Sequence, residues 1–230
     1  MNSKIIHERR MAKFRRAGLY LVTSQALSRG RPTERIVKEA LAGGVRLIQL
    51  REKEMPFPRL FRLAEKIRAM TRAAGALLII NDRLDLALAV QADGVHLGQD
   101  DLPVCRARKI APDLIIGAST HSLKEALAAQ RAGASYVNIG PIFPTRTKKW
   151  DKPFLGIAKM KRIAAKIKIP FTVMGGIKAE HIPELLGTGA GPIALVTAVT
   201  AAEKPRRAAG RMLALIRAGK QTGASIGRIG

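Results

Sequence analysis

Eight short apolar runs, separated by polar junctions and stretches of helical composition, constrain this chain more than any other feature. The runs are Leu19–Val22, Leu47–Leu50, Leu77–Ile80, Gly94–Leu97, Leu114–Gly117, Tyr136–Ile139, Phe171–Met174 and Ile193–Val196. They are too apolar to leave one face in water, which marks parallel strands covered on both sides. The main helical stretches are Thr33–Ala42, Pro58–Ala73, Leu123–Arg131, Ile157–Ile167 and Ala179–Leu186, with Arg206–Ala218 after the last run. Shorter spacers occupy Leu84–Val90 and Pro103–Lys109. This alternation selects an α/β fold, and eight such units close into a single-domain (β/α)8 TIM barrel. The alternative, an open doubly wound sheet, should carry a glycine-rich turn after its first strand, and Val22-Thr23-Ser24-Gln25 is not one.

Local signals agree. Ser122 with Glu125 three residues on forms a capping-box pattern, Pro32-Thr33 and Pro103 suit helix starts, and Gly43-Gly44, Gly75 and Gly133 suit helix stops. A chain of 230 residues suits one barrel, which needs about 200 to 250. The pattern assigns the barrel to residues 18–220, between a basic N-terminal tail, 1–17, and a C-terminal tail, 221–230, both expected to fray.

The formal net charge of +24, from 41 Lys and Arg against 17 Asp and Glu, favours anionic partners. Nucleic acid, an anionic membrane surface and a phosphorylated small molecule all fit the sign. The cations are spread along the whole chain, aromatic residues make up 4%, and neither zinc-finger spacing nor an aromatic RNA-binding signature is present. Small phosphorylated substrates are therefore the expected partners, with nucleic-acid binding at most weak and non-specific. No apolar run approaches the roughly 20 residues needed to span a bilayer, so no membrane role is expected. The segment MNSKIIHERRMAKFRRAG has no apolar stretch of a secretory signal, and the single cysteine, Cys105, precludes an intrachain disulfide. These features lead us to expect a cytoplasmic protein.

In a barrel the residues just after each strand share one mouth. Here they are Gln49, Arg51 and Lys53 of "QLREKE"; Asn81 and Asp82; Gln99, Asp100 and Asp101; Ser119, Thr120 and His121; Thr145-Arg146-Thr147-Lys148-Lys149; Gly175-Gly176; and Thr197. Asp82 and Asp101 follow adjacent strands, and two carboxylates suit Mg²⁺, an oxygen-seeking ion that leaves positions for substrate phosphate oxygens. Helix capping or surface cation binding would also account for either aspartate. Arg51, Lys53 and Lys148 would face the metal and stabilise a diphosphate leaving group from the other side, making them the catalytic candidates. Gly175-Gly176 ahead of a helix, with Val196 and Thr197, suits a second phosphate, although a Gly-Gly pair is also a common turn. No nucleophile stands out. Cys105 is expected to pack within its helix, and His7, His96 and His181 are expected in core or surface roles rather than as ligands.

These residues, in this order, resemble thiamine phosphate synthases. The likeness rests on "YLVTS" at Tyr20–Ser24, "GGVRLIQLREK" at Gly43–Lys53, "INDRLDLALAVQADGVHLGQDDLP" at Ile80–Pro103, "IGAST" at Ile116–Thr120, "IGPIFPTRTK" at Ile139–Lys148 and "MGGI" at Met174–Ile177. It implies a (β/α)8 transferase that joins 4-amino-2-methyl-5-hydroxymethylpyrimidine diphosphate to thiazole phosphate, releasing pyrophosphate. It further implies pyrimidine diphosphate contacts from Gln49, Leu50, Arg51, Glu52, Lys53, Asn81, Ser119 and Lys148, with Mg²⁺ on Asp82 and Asp101. Thiazole phosphate contacts would come from Thr145, Arg146, Thr147, Gly176, Val196 and Thr197. Two positions depart from the family pattern: Thr197 replaces serine, and Gly191-Pro192 replaces an acidic–glycine pair. A thiazole tautomerase-like paralogue would use a histidine after strand five, where His121 stands, but would lack the metal pair and the "QLREK" loop. A non-catalytic basic barrel that binds anions or nucleic acid would be expected to lack a mouth aspartate or lysine, and none is missing.

Overall fold

The computed structural model describes residues 2–145, 147 and 150–226, with side chains through residue 221. Strands β1 (Leu19–Val22), β2 (Leu47–Leu50), β3 (Leu77–Asn81), β4 (Gly94–Leu97), β5 (Ile115–Thr120), β6 (Tyr136–Ile139), β7 (Phe171–Val173) and β8 (Ile193–Leu195) close into a barrel in chain order. Every neighbouring pair is parallel, and β8 closes on β1 with Leu19 opposite Ile193 and Tyr20 opposite Ala194.

The two-residue period of a strand divides each run between two cores. Alternate residues such as Leu19, Leu21, Ile48, Leu50, Leu78, Ile80, Val95 and Leu97 pack outward in the large cluster under the helices. Their neighbours Tyr20, Val22, Leu47, Leu77, Ile79, Ile115, Tyr136 and Ala194 form a separate interior cluster. Because both faces are buried, no polar alternation shows in the sequence, and the runs read as continuously apolar.

Helix α1 (Ser3–Arg16) closes the N-terminal end of the barrel. The segment expected to be a frayed tail is thus ordered, with Met11 and Phe14 buried in the interior cluster. The Phe14 ring centroid lies 4.5 Å from that of Tyr136 and 6.3 Å from that of Tyr20. Arg10 ties the helix down by donating from Nη1 to the Asp113 carboxylate at 2.6 Å and to the Asp113 carbonyl at 2.9 Å. The other basic residues of this segment, Lys4, Arg9, Lys13, Arg15 and Arg16, are exposed, while two apolar residues three apart and Arg10 dock the helix.

The covering helices are α2 (Thr33–Ala42), α3 (Phe57–Ala73), α4 (Leu84–Ala89), α5 (Val104–Ile110), α6 (Leu123–Arg131), α7 (Gly156–Ala164) and α8 (Ile182–Gly187). A short α9 (Thr197–Thr200), not anticipated from sequence, follows β8, and α10 (Pro205–Ile226) continues into the segment assigned to a C-terminal tail. The stretch Ala179–His181 is a 3₁₀ turn rather than the first turn of α8. At α6 the Ser122 hydroxyl accepts from Glu125 N at 3.2 Å, while the Glu125 carboxylate accepts from His121 N at 2.7 Å, one residue earlier than in a capping box. Cys105, expected to pack, is exposed on α5. Among the described residues no helix is long and apolar enough to cross a membrane.

Candidate active site

The charged segment after β2 is braced before it reaches the mouth. Glu52 accepts from the hydroxyls of Thr23 at 2.8 Å and Thr33 at 2.7 Å with one carboxylate oxygen, and from Gln25 N at 2.8 Å with the other. The Arg51 amide donates to Thr23 Oγ1 at 3.0 Å. These bonds hold the loops after β1 and β2 together, so the Glu52 side chain is a brace. Leu50 packs outward under the helices, which leaves only its backbone for a ligand. Arg51 is half-buried and Lys53 exposed, and Lys53 Nζ reaches across to Asp82 at 3.6 Å.

Asp82 follows β3 in a left-handed backbone conformation with φ of 64°, a region that few non-glycine residues occupy and that aspartate tolerates better than most. Its amide donates to the His96 carbonyl at 2.8 Å, which anchors the turn to β4. This geometry brings its carboxyl beside that of Asp101, whose Oδ2 accepts from Gly98 N at 2.6 Å. Burial, then the hydrogen bond to Asp101 and its charge, pushes the Asp82 carboxyl up to about 6, against the pull of Lys53 and Arg51. A pair of carboxylates held in contact stores repulsion that a divalent cation relieves. Among the described residues no set of three His, Cys, Asp or Glu side chains gathers for a metal. Two carboxylates fit Mg²⁺, which commonly takes one or two from the protein and completes its shell with water and substrate phosphate.

Gln49, Asn81 and Ser119 belong to the strands themselves and lie at their mouth ends; Ser119 and Thr120 extend β5 three residues past the expected limit of Gly117. Gln99 reaches over from the loop after β4 to donate to the Ser119 carbonyl at 2.6 Å, while Asp100 is exposed. His121 Nδ1 is 2.9 Å from Glu125, and its ring lies 4.8 Å from that of Trp150.

The loops after β6 and β7 are joined along their backbones: Ile142 N donates to Met174 O at 2.9 Å and Phe143 N to Gly175 O at 3.0 Å. The Phe143 ring also stacks on His181 at 3.9 Å. Thr147 N donates to Thr145 Oγ1 at 3.2 Å, and the two hydroxyls are 3.1 Å apart. Gly176, with φ of 64°, sits against this loop so closely that a β-carbon would collide with the Pro144 carbonyl and with Phe143. Thr197 is exposed at the start of α9, directly after Val196. The Gly191-Pro192 departure lies at the opposite, N-terminal end of β8, so it does not enter the Val196–Thr197 loop. Arg146 and Lys148 lie outside the described residues.

Sequence reasoning missed the polar interior beneath this mouth. His96 is buried within an apolar run and bonded to Tyr136 and Ser119. Its pKa is drawn down to about 4, first by burial, with Arg51 adding to the effect and Asp101 opposing it. Burial also raises the Tyr20 and Tyr136 phenols above their ordinary range. Gly117 leaves the room that the Tyr136 ring fills. The available signal was parity: Tyr20, Gln49, His96, Ser119 and Tyr136 all fall on inward positions of their strands.

Comparison with known proteins gives a consistent result. The family model described as thiamine monophosphate synthase matches residues 19–199. The thiamine-phosphate synthase of Pyrococcus horikoshii is 47% identical over 190 residues, covering 83% of this chain and 90% of that protein. That of Chlorobium luteolum is 50% identical over 192 residues, covering 81% and 90%. The thiamine phosphate pyrophosphorylase structure from Pyrococcus furiosus superposes with a TM-score of 0.82 at 39% identity, covering 89% of this chain and 98% of that one.

Proposed function

This chain belongs to the thiamine monophosphate synthase family, and we propose that its barrel mouth joins 4-amino-2-methyl-5-hydroxymethylpyrimidine diphosphate to thiazole phosphate. In this reading the bond between the pyrimidine methylene carbon and the diphosphate oxygen breaks. Its electron pair leaves with pyrophosphate, and the thiazole nitrogen forms the new bond to carbon. The protein needs no nucleophile for this. Its task is to stabilise negative charge growing on the leaving group and to hold the two substrates in line.

Arg51 and Lys53 meet the diphosphate from the β2 side, and Lys148 joins them from the loop after β6. Asp82 and Asp101 would hold Mg²⁺, which when bound supplies positive charge to the departing pyrophosphate. Gln49, Asn81 and Ser119 line the deeper part of the mouth and receive the pyrimidine ring. The thiazole phosphate lies against Thr145, Arg146, Thr147, Gly176, Val196 and Thr197, where the close packing of Gly176 admits backbone N–H groups but no side chain.

The observation that carries this reading is the contact of two mouth carboxylates with Lys53 3.6 Å away, an opposed-charge arrangement suited to a metal-bound diphosphate. Purified protein, supplied with both substrates with and without Mg²⁺, should form thiamine phosphate only with the metal. Asp101→Ala should lower turnover by at least about 100-fold, on the scale of losing one element of transition-state charge stabilisation. Metal-independent turnover, or a fully active Asp101→Ala enzyme, would overturn the assignment.

A further inference from the structure

The interior beneath the mouth contains an unbroken hydrogen-bond chain whose two ends are side chains assigned above to the pyrimidine. Gln49 Nε2 lies 2.6 Å from the Tyr20 hydroxyl, and that hydroxyl lies 2.9 Å from the hydroxyl of Tyr136. His96 Nδ1 is 2.9 Å from the Tyr136 hydroxyl, and His96 Nε2 is 2.9 Å from Ser119 Oγ. Tyr20, Tyr136 and His96 are all buried, so these protons must be shared within the chain. From below, Phe14 packs on Tyr136 and closes the barrel end.

Each phenol donates one proton, and a neutral imidazole carries one. Two arrangements satisfy every link and also give every buried proton an acceptor, and they exclude each other. In the first, the Gln49 amide N–H donates to Tyr20, Tyr20 to Tyr136, Tyr136 to His96 Nδ1, and His96 Nε2–H to Ser119. The Gln49 carbonyl oxygen is then left for a ligand, and the Ser119 hydroxyl can donate outward. In the second, every bond is reversed: the Ser119 proton turns inward to His96, and the Gln49 amide turns over to accept from Tyr20. Gln49 would then offer a ligand N–H, and Ser119 only lone pairs.

With Gln49 Nε2 directed at Tyr20, we propose that Tyr20, Tyr136 and His96 are positioning residues forming a one-way donor relay. His96 is the Nε2–H tautomer, Gln49 presents an acceptor, and Ser119 presents a donor. This inference rests on the pyrimidine reading above for its ligand. An amino group beside a ring nitrogen is a donor next to an acceptor, which matches Gln49 and Ser119 in the first arrangement and opposes them in the second. The relay thereby makes two distant side chains show complementary polarity, because a proton cannot be displaced at one end without reversing every link.

The chain contains 4 histidines, so long-range ¹H–¹⁵N spectra of the substrate-free protein can resolve His96, assigned by the signal lost in His96→Gln. A single Nε2–H tautomer is expected. Tyr136→Phe keeps the ring but removes the donor to Nδ1. It should give mixed tautomers and raise the apparent KM for the pyrimidine diphosphate about tenfold, the scale of one lost buried hydrogen bond, while the KM for thiazole phosphate stays unchanged. Tyr20→Phe, which cuts the relay on the Gln49 side, should raise the same KM and leave the His96 tautomer as it was. An Nδ1–H tautomer in the parent protein would overturn the relay. So would Tyr136→Phe with a parental tautomer and parental KM. An Nε2–H tautomer in a protein without synthase activity would uphold the relay and discard the pyrimidine reading.

Discussion

Replacing Asp82 with asparagine should strengthen the metal-free fold at neutral pH while removing catalysis. The Asp82 carboxyl stands at about 6 against an ordinary 3.8, raised by burial and by its contact with Asp101. The folded state therefore binds this proton more tightly than the unfolded chain. The resulting stability is fully present below about pH 4 and is lost as pH rises through about 6. At neutral pH the native carboxylate has lost that contribution, whereas an asparagine, uncharged throughout, has not. A displacement of about two pH units corresponds to about 3 kcal/mol at about 1.4 kcal/mol per unit. The side chain is 26% exposed, and solvent screening brings the expected gain to about 1–2 kcal/mol. Asparagine also accepts the left-handed backbone of this position and can donate to Asp101, so no new strain offsets the gain. Urea unfolding in EDTA from pH 4 to 8 tests this. The Asp82→Asn advantage should be near zero at pH 4, grow between pH 4 and 6, and level off above. Adding Mg²⁺ at about 100 times its dissociation constant should stabilise the parent by about 2.7 kcal/mol and reverse the order. An Asp82→Asn protein less stable than the parent at pH 7.5, or a difference that ignores pH, would refute the stored repulsion.

Three further outcomes are expected. Gly176→Ala should raise the apparent KM for thiazole phosphate at least about tenfold, because the left-handed backbone and the Pro144 carbonyl leave no room for a methyl; steady-state kinetics with each substrate varied would show whether the pyrimidine KM is spared. Phe14→Ala should cost about 3–5 kcal/mol, the range for emptying a buried aromatic site, measured by denaturant unfolding; a loss under 1 kcal/mol would return α1 to the status of a dispensable tail. Binding to DNA should be sequence-indifferent at low salt and vanish near physiological ionic strength while synthase turnover persists, because surface phosphate contacts are lost steeply with salt; fluorescence anisotropy across a salt series would decide it.

The barrel was legible because its signal is local and repeated. Strands buried on both faces read as short apolar runs, and their order alone ranks the residues that follow them around one mouth. Asp82, Asp101, Arg51 and Lys53 therefore read as neighbours from strand order, and the fold brings Lys53 within ion-pair range of Asp82. Tertiary structure decided what depends on direction and on partners distant in sequence. Glu52 carries a charge suited to a site, yet the hydroxyls of Thr23 and Thr33 turn it into a loop brace. Met11 and Phe14 lie in a basic segment, and only the open end of a barrel lined by Tyr20 and Tyr136 makes them core. His96 sits in a run that reads as apolar because burial hides polarity when every hydrogen bond is supplied from within. A sequence records which side chains a strand carries, whereas the closure of eight strands determines which of them meet inside.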